Sequence, residues 1–437
     1  MKYYSTNKSS PTVTLKEAII KGLASDNGLF MPERIGQFDK SFFENIHNLS
    51  FQEIAYEVAH KFFGDDIEAS ILKTIVYDTL QFDCPTVKVT DKIYSLELFH
   101  GPTLAFKDVG ARFMARLLSH FIIDRDKQIN VLVATSGDTG SAVANGFLGV
   151  EGVHVYVLYP KGKVSKIQES QFTTLEQNIT AIEVEGTFDD CQHLVKSAFL
   201  NRELNEKLML TSANSINVAR FLPQSFYYFH AFAQLQKQGV LKDKELVFSV
   251  PSGNLGNITA GLFAKRMGLP IHHFVAANNA NRVVFDYINS GEYTPRPSIE
   301  TIANAMDVGA PSNFARILDL YNQKHADIIL DIKSVTYSDE EIRETVKKVY
   351  DEYGYLCDPH GACGFRSLDE ALKDEEVGVF LETAHPAKFL ETMEGVVGEG
   401  VVELPAILSE FMRGEKKSVQ LNNHFDSFKN YLLVHSK

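Results

Sequence analysis

From Lys92 onward the sequence alternates short β-branched runs with stretches of helical periodicity, and this alternation constrains the fold more than any other feature. "KIYSLELF" precedes the helical "KDVGARFMARLL"; "INVLVATS" precedes "GDTGSAVANGF"; "VHVYVLYP" precedes "SKIQESQFTTLE"; "ITAIEVEG" precedes "DDCQHLVKSAFL". A βαβα order predicts parallel strands joined by right-handed crossovers, with helices covering the sheet faces. "LMLTSA" then leads into a long helix predicted from about Asn217 to Gln238. The pattern restarts with "ELVFSV", the loop "PSGNLGN", a helix through Arg266 and "IHHFVAANN", so a second α/β unit begins near Glu245. Further on, a capping box from Ser338 to Glu341 opens a helix that Gly354 stops, and the strand "VGVFLETA" follows.

At 437 residues the chain exceeds the size at which one hydrophobic core keeps growing, so more than one domain is expected. The predicted division is a mainly helical segment over 1–91 that packs on the core, an α/β domain over 92–240 and a second over 241–437. A net charge of −13 argues against a broad nucleic-acid or anionic-membrane surface. "MKYYSTNKSSPTVTLKEAII" lacks the apolar core of a signal peptide, and no window of the chain approaches the ~18 apolar residues of a membrane helix. A cytoplasmic protein is expected. The four cysteines, Cys84, Cys191, Cys357 and Cys363, are irregularly spaced, which fits a reducing compartment. "CDPHGAC" sets Cys357, His360 and Cys363 at three-residue spacing. With no second cluster nearby to complete a zinc site, no metal is expected.

In open parallel sheets, ligands bind beyond the carboxyl ends of the strands. Two loops at such ends, "SGDTGS" (Ser136 to Ser141) and "GNLGN" (Gly253 to Asn257), are rich in glycine and hydroxyl groups and open helices. Glycine permits close backbone approach and the helix dipole favours an anion, so each is a plausible phosphate cradle. Neither matches a nucleotide-binding fingerprint. Lys107 begins an amphipathic helix beside Phe106, Val109, Phe113, Met114, Leu117 and Leu118. The plain reading is a lysine whose stem covers apolar surface. Two anion loops without a nucleotide signature, taken with this lysine, point instead to a phosphorylated cofactor held through an imine, namely pyridoxal 5'-phosphate. A desolvated lysine amine loses basicity, can form a Schiff base and can carry protons. Thr383, at the end of "VGVFLETA", offers a hydroxyl for the ring nitrogen, or is a simple strand-end residue.

Taken together, "HGPTLAFKD", "TSGDTG", "NSINVAR", "GNLGN", "ETAHPAKF" and the earlier "GLASDNGLFMPE" resemble the threonine synthase family of tryptophan-synthase-β-like enzymes, in family order from about residue 22 to residue 390. The resemblance implies two open, mostly parallel α/β domains preceded by a helical segment. It implies that Lys107 carries pyridoxal phosphate, that Gly253, Asn254, Leu255, Gly256 and Asn257 bind the cofactor phosphate, and that Thr383 faces the pyridine nitrogen. Ser136, Thr139, Asn214, Ser215 and Arg220 would hold the substrate, with Arg220 the charged partner of its phosphate. Asp138 stands where some relatives of the fold carry an asparagine facing the cofactor's 3-hydroxyl.

The implied reaction is O-phospho-L-homoserine plus water giving L-threonine plus phosphate. A dehydratase or a cysteine-synthase-like lyase would share the lysine and the glycine loop, but "NSINVAR" supplies a second anion site that neither needs. A non-catalytic pyridoxal-phosphate binder is the remaining alternative. The sequence leaves monomer and homodimer both open.

Overall fold

The computed structural model describes residues 1–122 and 127–436. The chain divides into two compact units, one of Met1, Met31–Phe106 and Phe221–Glu403, the other of Lys2–Phe30, Lys107–Arg220 and Leu404–Lys437.

The first unit is built on a six-stranded sheet, in spatial order Ile332–Thr336, His273–Asn278, Glu245–Pro251, Glu376–Glu382, Ile93–Glu97 and Thr86–Lys88. All neighbours run parallel except the last pair. The central strand Glu376–Glu382 is buried at every position, as expected for a strand covered on both faces. The helix Pro359–Ala371 packs on it and on Glu245–Pro251. The helix Phe51–Phe63 starts at a Ser50–Glu53 capping box and turns Ile54, Ala55, Val58, Ala59, Phe62 and Phe63 inward, packing against Ser225–Lys237. Ser338 and Glu341 form the expected capping box, and Gly354 ends that helix in the left-handed conformation.

The second unit holds a wholly parallel five-stranded sheet in the order Val419–Asn422, Ile179–Glu185, Val153–Pro160, Ile129–Ala134, Met209–Ser212. Leu132, Tyr156, Leu158, Ile182, Val184, Leu194 and Phe428 form part of one continuous buried cluster in it. The strands read from the sequence recur within about two residues of their expected ends.

These units differ from the contiguous division at 91/92 and 240/241. Ile93–Glu97 pairs in parallel with Glu376–Glu382, and Val419–Asn422 adds an edge strand beside Ile179–Glu185. Both pairings join segments far apart in sequence, which local periodicity cannot register. The N-terminal segment is shared between the units at 30/31, and its first residues are not helical: Lys2–Ser5 and Val13–Thr14 pair antiparallel. The helix expected from Asn217 to Gln238 is interrupted. Val218–Phe221 and Ser225–Lys237 are separated by a 3-10 turn at Leu222–Gln224, because Pro223 has no N–H to continue the ladder. Among the described residues no helix is long and apolar enough to cross a membrane.

Candidate active site

In the first unit, the glycine loop follows the strand Glu245–Pro251. Its side chains are mostly engaged in holding its shape. Asn254 Oδ1 accepts the Ser312 N–H at 2.6 Å, and the Asn254 carbonyl accepts Asn313 Nδ2 at 2.9 Å. Leu255 sits at φ 61° immediately before the helix Gly256–Arg266, a left-handed turn that aims the helix start out of the sheet end. The Tyr228 hydroxyl donates to Asn257 Oδ1 at 2.8 Å and to its carbonyl at 3.1 Å. Gly253 lies against the turn at 303–306 so closely that a Cβ there would stand 2.7 Å from the Ala305 carbonyl oxygen. That turn is pinned in its own right, since the Ala305 N–H donates to His360 Nε2 at 3.1 Å. His360 Nδ1 therefore carries the ring proton and donates it to Asp358 Oδ1.

On the adjacent strand, Thr383 follows Glu376–Glu382 and is only 6% exposed. Its carbonyl accepts the Phe106 N–H at 2.9 Å, while its hydroxyl makes no hydrogen bond among the described residues. Leu104 accepts from His385 N–H at 3.1 Å, and Ala105 and Ala384 form an antiparallel bridge. The approach to Lys107 is thus laced to the segment that carries Thr383. Lys388, fully buried, adds a bond from its ammonium to the Thr103 carbonyl at 2.7 Å. Beneath this lies Glu382. Burial, and then the neighbouring Asp358 carboxylate, push its carboxyl well above the usual range.

In the second unit, the loops after the adjacent parallel strands Ile129–Ala134 and Met209–Ser212 are tied together by Asn214 Nδ2, which donates to the Ala134 carbonyl at 3.0 Å. The fully buried Thr135 shapes the first loop. Its hydroxyl accepts from the Gly137 and Gly140 N–H groups at 2.9 and 2.7 Å and donates to the Gly137 carbonyl at 3.0 Å. Asp138 is buried, with Oδ1 accepting Gln168 Nε2 at 2.8 Å. The half-buried Ser136 and Thr139 hydroxyls make no hydrogen bond among the described residues. In the second loop, buried Asn217 donates to the Ile19 carbonyl at 2.9 Å, which fixes the N-terminal helix Leu15–Lys21 behind it.

Lys107 and Arg220 are the first and last residues of the segment that the second unit contributes between its two crossings. Arg220 clasps that segment's ends. It is 2% exposed, its Nε donates to the Ala213 carbonyl at 2.7 Å, and its Nη1 donates to the Lys107 carbonyl at 3.2 Å. Gly110 makes room for this approach: a Cβ at 110 would meet the Arg220 carbonyl oxygen at 2.5 Å. Half-buried Lys107 opens the helix Lys107–Ile122 as expected.

The chain matches the family model described as pyridoxal-phosphate dependent enzyme over residues 81–382, flanked by those described as threonine synthase N terminus over 2–80 and threonine synthase, C-terminal, over 361–432. A threonine synthase of Haemophilus influenzae is 43% identical over 433 residues, covering 99% of this chain and 100% of that one. The chain belongs to the threonine synthase family. The crystal structure of threonine synthase from Escherichia coli superposes with a TM-score of 0.94 at 40% identity, covering 100% of both chains. A PLP-bound threonine synthase from Brucella melitensis superposes with a TM-score of 0.91 at 34% identity, again over 100% of both.

Members of this family use pyridoxal phosphate, and the residues here fit it. Asn257 Nδ2 is buried without a hydrogen-bond partner, and the N–H groups of Gly256, Asn257 and Ile258 donate to nothing among the described residues. A helix start presenting bare donors is suited to a phosphate. The family's opening segment, by contrast, is self-contained. Burial of Asp26 raises its carboxyl, but hydrogen bonds from Ser5, Gly28, Ser9 and Ser10 outweigh this and hold it at about 2. "CDPHGAC" is likewise structural: Asp358 caps the helix Pro359–Ala371 by accepting the His360 N–H, and Cys357 and Cys363 are buried free thiols. The sequence reading missed Thr135, Gln168, Tyr228, Lys388 and the Asp358–His360 pair. Only the "DPH" order, a helix cap with proline at its first turn, carried a local signal for any of them.

Proposed function

We propose that this chain converts O-phospho-L-homoserine and water to L-threonine and phosphate. The observation that carries this reading is the presence of two donor sets at carboxyl strand ends. One is the bare helix start at 256–258; the other is the loop pair holding Ser136, Thr139, Asn214 and Ser215, closed by the buried cation of Arg220. One set suits the cofactor phosphate and the other the substrate's ester.

Pyridoxal phosphate, when bound, supplies an electron sink for the charge left when a carbon-bound proton is removed. Lys107 holds the cofactor and moves protons at the substrate's α-carbon. Gly253, Asn254, Leu255, Gly256 and Asn257 bind the cofactor phosphate, chiefly by backbone N–H, with Asn257 Nδ2 as an added donor. The Thr383 hydroxyl serves the ring nitrogen as a neutral partner. Asp138 borders the cofactor, its carboxylate oriented by Gln168. Ser136, Thr139, Asn214 and Ser215 orient the substrate. Arg220 places a buried positive charge beside them and keeps the first turn of the Lys107 helix in register with the second loop. Across the reaction, protons leave Cα and Cβ and phosphate leaves Cγ; a proton is then taken up at Cγ, water adds its hydroxyl at Cβ, and a proton returns to Cα.

The test is release of inorganic phosphate from O-phospho-L-homoserine by the cofactor-loaded chain, with threonine identified as product and serine and threonine supplied separately as rival substrates. Stoichiometric phosphate and threonine support the reading. Cofactor absorbance without phosphate release, or turnover of serine or threonine alone, overturns it.

A further inference from the structure

At the other end of the six-stranded sheet, where the strands begin, His272, His273 and Glu376 each offer one ligand atom within 4.8 Å of the others. Glu245 and Glu376 open adjacent parallel strands and are partners in register. Two carboxylates in that relation repel each other, and burial of one of them sharpens the cost. Glu376 is 1% exposed; Oε2 accepts the Lys373 N–H at 2.9 Å, whereas Oε1 accepts no hydrogen bond among the described residues. Oε1 lies 3.7 Å from His272 Nε2 and 3.8 Å from His273 Nδ1. His272 Nδ1 lies 3.3 Å from Glu245 Oε2.

We propose that His272 Nε2, His273 Nδ1 and Glu376 Oε1 bind one divalent transition-metal cation of the zinc class, with Glu245 orienting His272 through its Nδ1–H and water completing the shell. Two imidazoles and a carboxylate are a donor set suited to such a cation. A carboxylate on the far nitrogen of a ligating histidine is the usual means of fixing ring and tautomer. Tetrahedral ligation with bonds of ~2.0–2.2 Å sets ligand atoms roughly 3.3 Å apart. The cluster must close by up to about 1.5 Å, which the exposed His272 side chain can supply by rotation. The cation ties together the amino ends of Glu245–Pro251, His273–Asn278 and Glu376–Glu382, away from the loops at the strands' carboxyl ends. Its role is therefore that of a clasp on the sheet, and it stands independently of the proposed reaction.

The experiment is titration of the cofactor-loaded, full-length chain, freed of excess cofactor, with Zn²⁺ by calorimetry and with Co²⁺ by visible absorption, alongside thermal melting with and without Zn²⁺. One equivalent should bind with a rise in Tm. His272→Asn, on the surface, should abolish both the Co²⁺ spectrum and the Zn²⁺-dependent rise while leaving turnover unchanged. Glu245→Gln should weaken binding by about tenfold or more. Absence of saturable binding, or binding of equal strength in His272→Asn, overturns the assignment. Glu376→Gln adds a second check where that buried variant folds; unaltered affinity in it also overturns the assignment.

Discussion

The two donor sets differ in which groups they leave for a ligand. In the first unit the motif's side-chain oxygens are spent on the loop: Asn254 Oδ1 takes the Ser312 N–H and Asn257 Oδ1 receives Tyr228, so backbone N–H groups and Asn257 Nδ2 are what remain for a ligand. In the second unit other residues of the same two loops, together with Gln168, do the holding. Thr135 cradles the turn, Gln168 steadies Asp138 and Asn217 anchors the second loop, which leaves the Ser136 and Thr139 hydroxyls for a ligand. The difference suits the two tasks. A cofactor phosphate that stays in place is well served by rigid amides, whereas a substrate that comes and goes is well served by hydroxyls that can turn.

Arg220, in the second unit, both holds its own segment and supplies the proposed charge for the ligand, and its removal should have the largest effect. Arg220→Ala should cut kcat/KM by about ten- to a hundredfold or more, as expected for a lost charge-assisted pair. Because Arg220 also holds the Lys107 and Ala213 carbonyls, the variant should lose thermal stability and shift the cofactor absorbance as well. Arg220→Lys should recover only part of the loss, since an ammonium lacks the planar fork. A stable variant with an unchanged spectrum would reduce Arg220 to a substrate contact.

A paired substitution tests the division of labour in the second unit. Thr135→Val should destabilise the fold by about 1–3 kcal/mol, because buried N–H groups lose their acceptor. Thr139→Val should leave Tm nearly unchanged and lower kcat/KM by roughly five- to tenfold, about one hydrogen bond. Denaturant melts and steady-state kinetics on both variants decide the matter; the reverse pattern would break the comparison. For the first unit, Asn257→Ala should weaken cofactor retention by roughly tenfold, for one charge-assisted donor, with little change in substrate KM once the cofactor is saturating. Equilibrium dialysis of the cofactor would show it.

The smallest effect is set by pH. The Asp26 carboxyl lies at about 2 in the folded chain against 3.8 when unperturbed, so its stabilisation is complete above about pH 4 and fades as pH falls toward 2. Asp26→Asn should therefore lower Tm slightly at pH 7, and the gap to the parent should narrow between about pH 4 and 2. A gap that widens on acidification would contradict the hydrogen bonds assigned to Asp26.

Legibility in the sequence followed range. The strands, the glycine loops and the helix begun by Lys107 are local patterns, and each stands where the pattern placed it. What escaped was carried by distant partners: Ile93–Glu97 beside Glu376–Glu382, Tyr228 on Asn257, Gln168 on Asp138, Lys388 on Thr103. The broken helix at Pro223 is a different case. That signal was present in the sequence, and the apolar periodicity around it masked it.

The same limit applies to the lysine itself. Lys107 and Lys388 both stand in motifs that resemble the family, both are at least half-buried, and only Lys107 opens a helix clasped by Arg220. Borohydride reduction of the cofactor-loaded chain, followed by digestion and mass spectrometry of the peptides, tests the assignment most directly. The account predicts the cofactor on the peptide containing Lys107; finding it on Lys388, or on any other lysine, would contradict it.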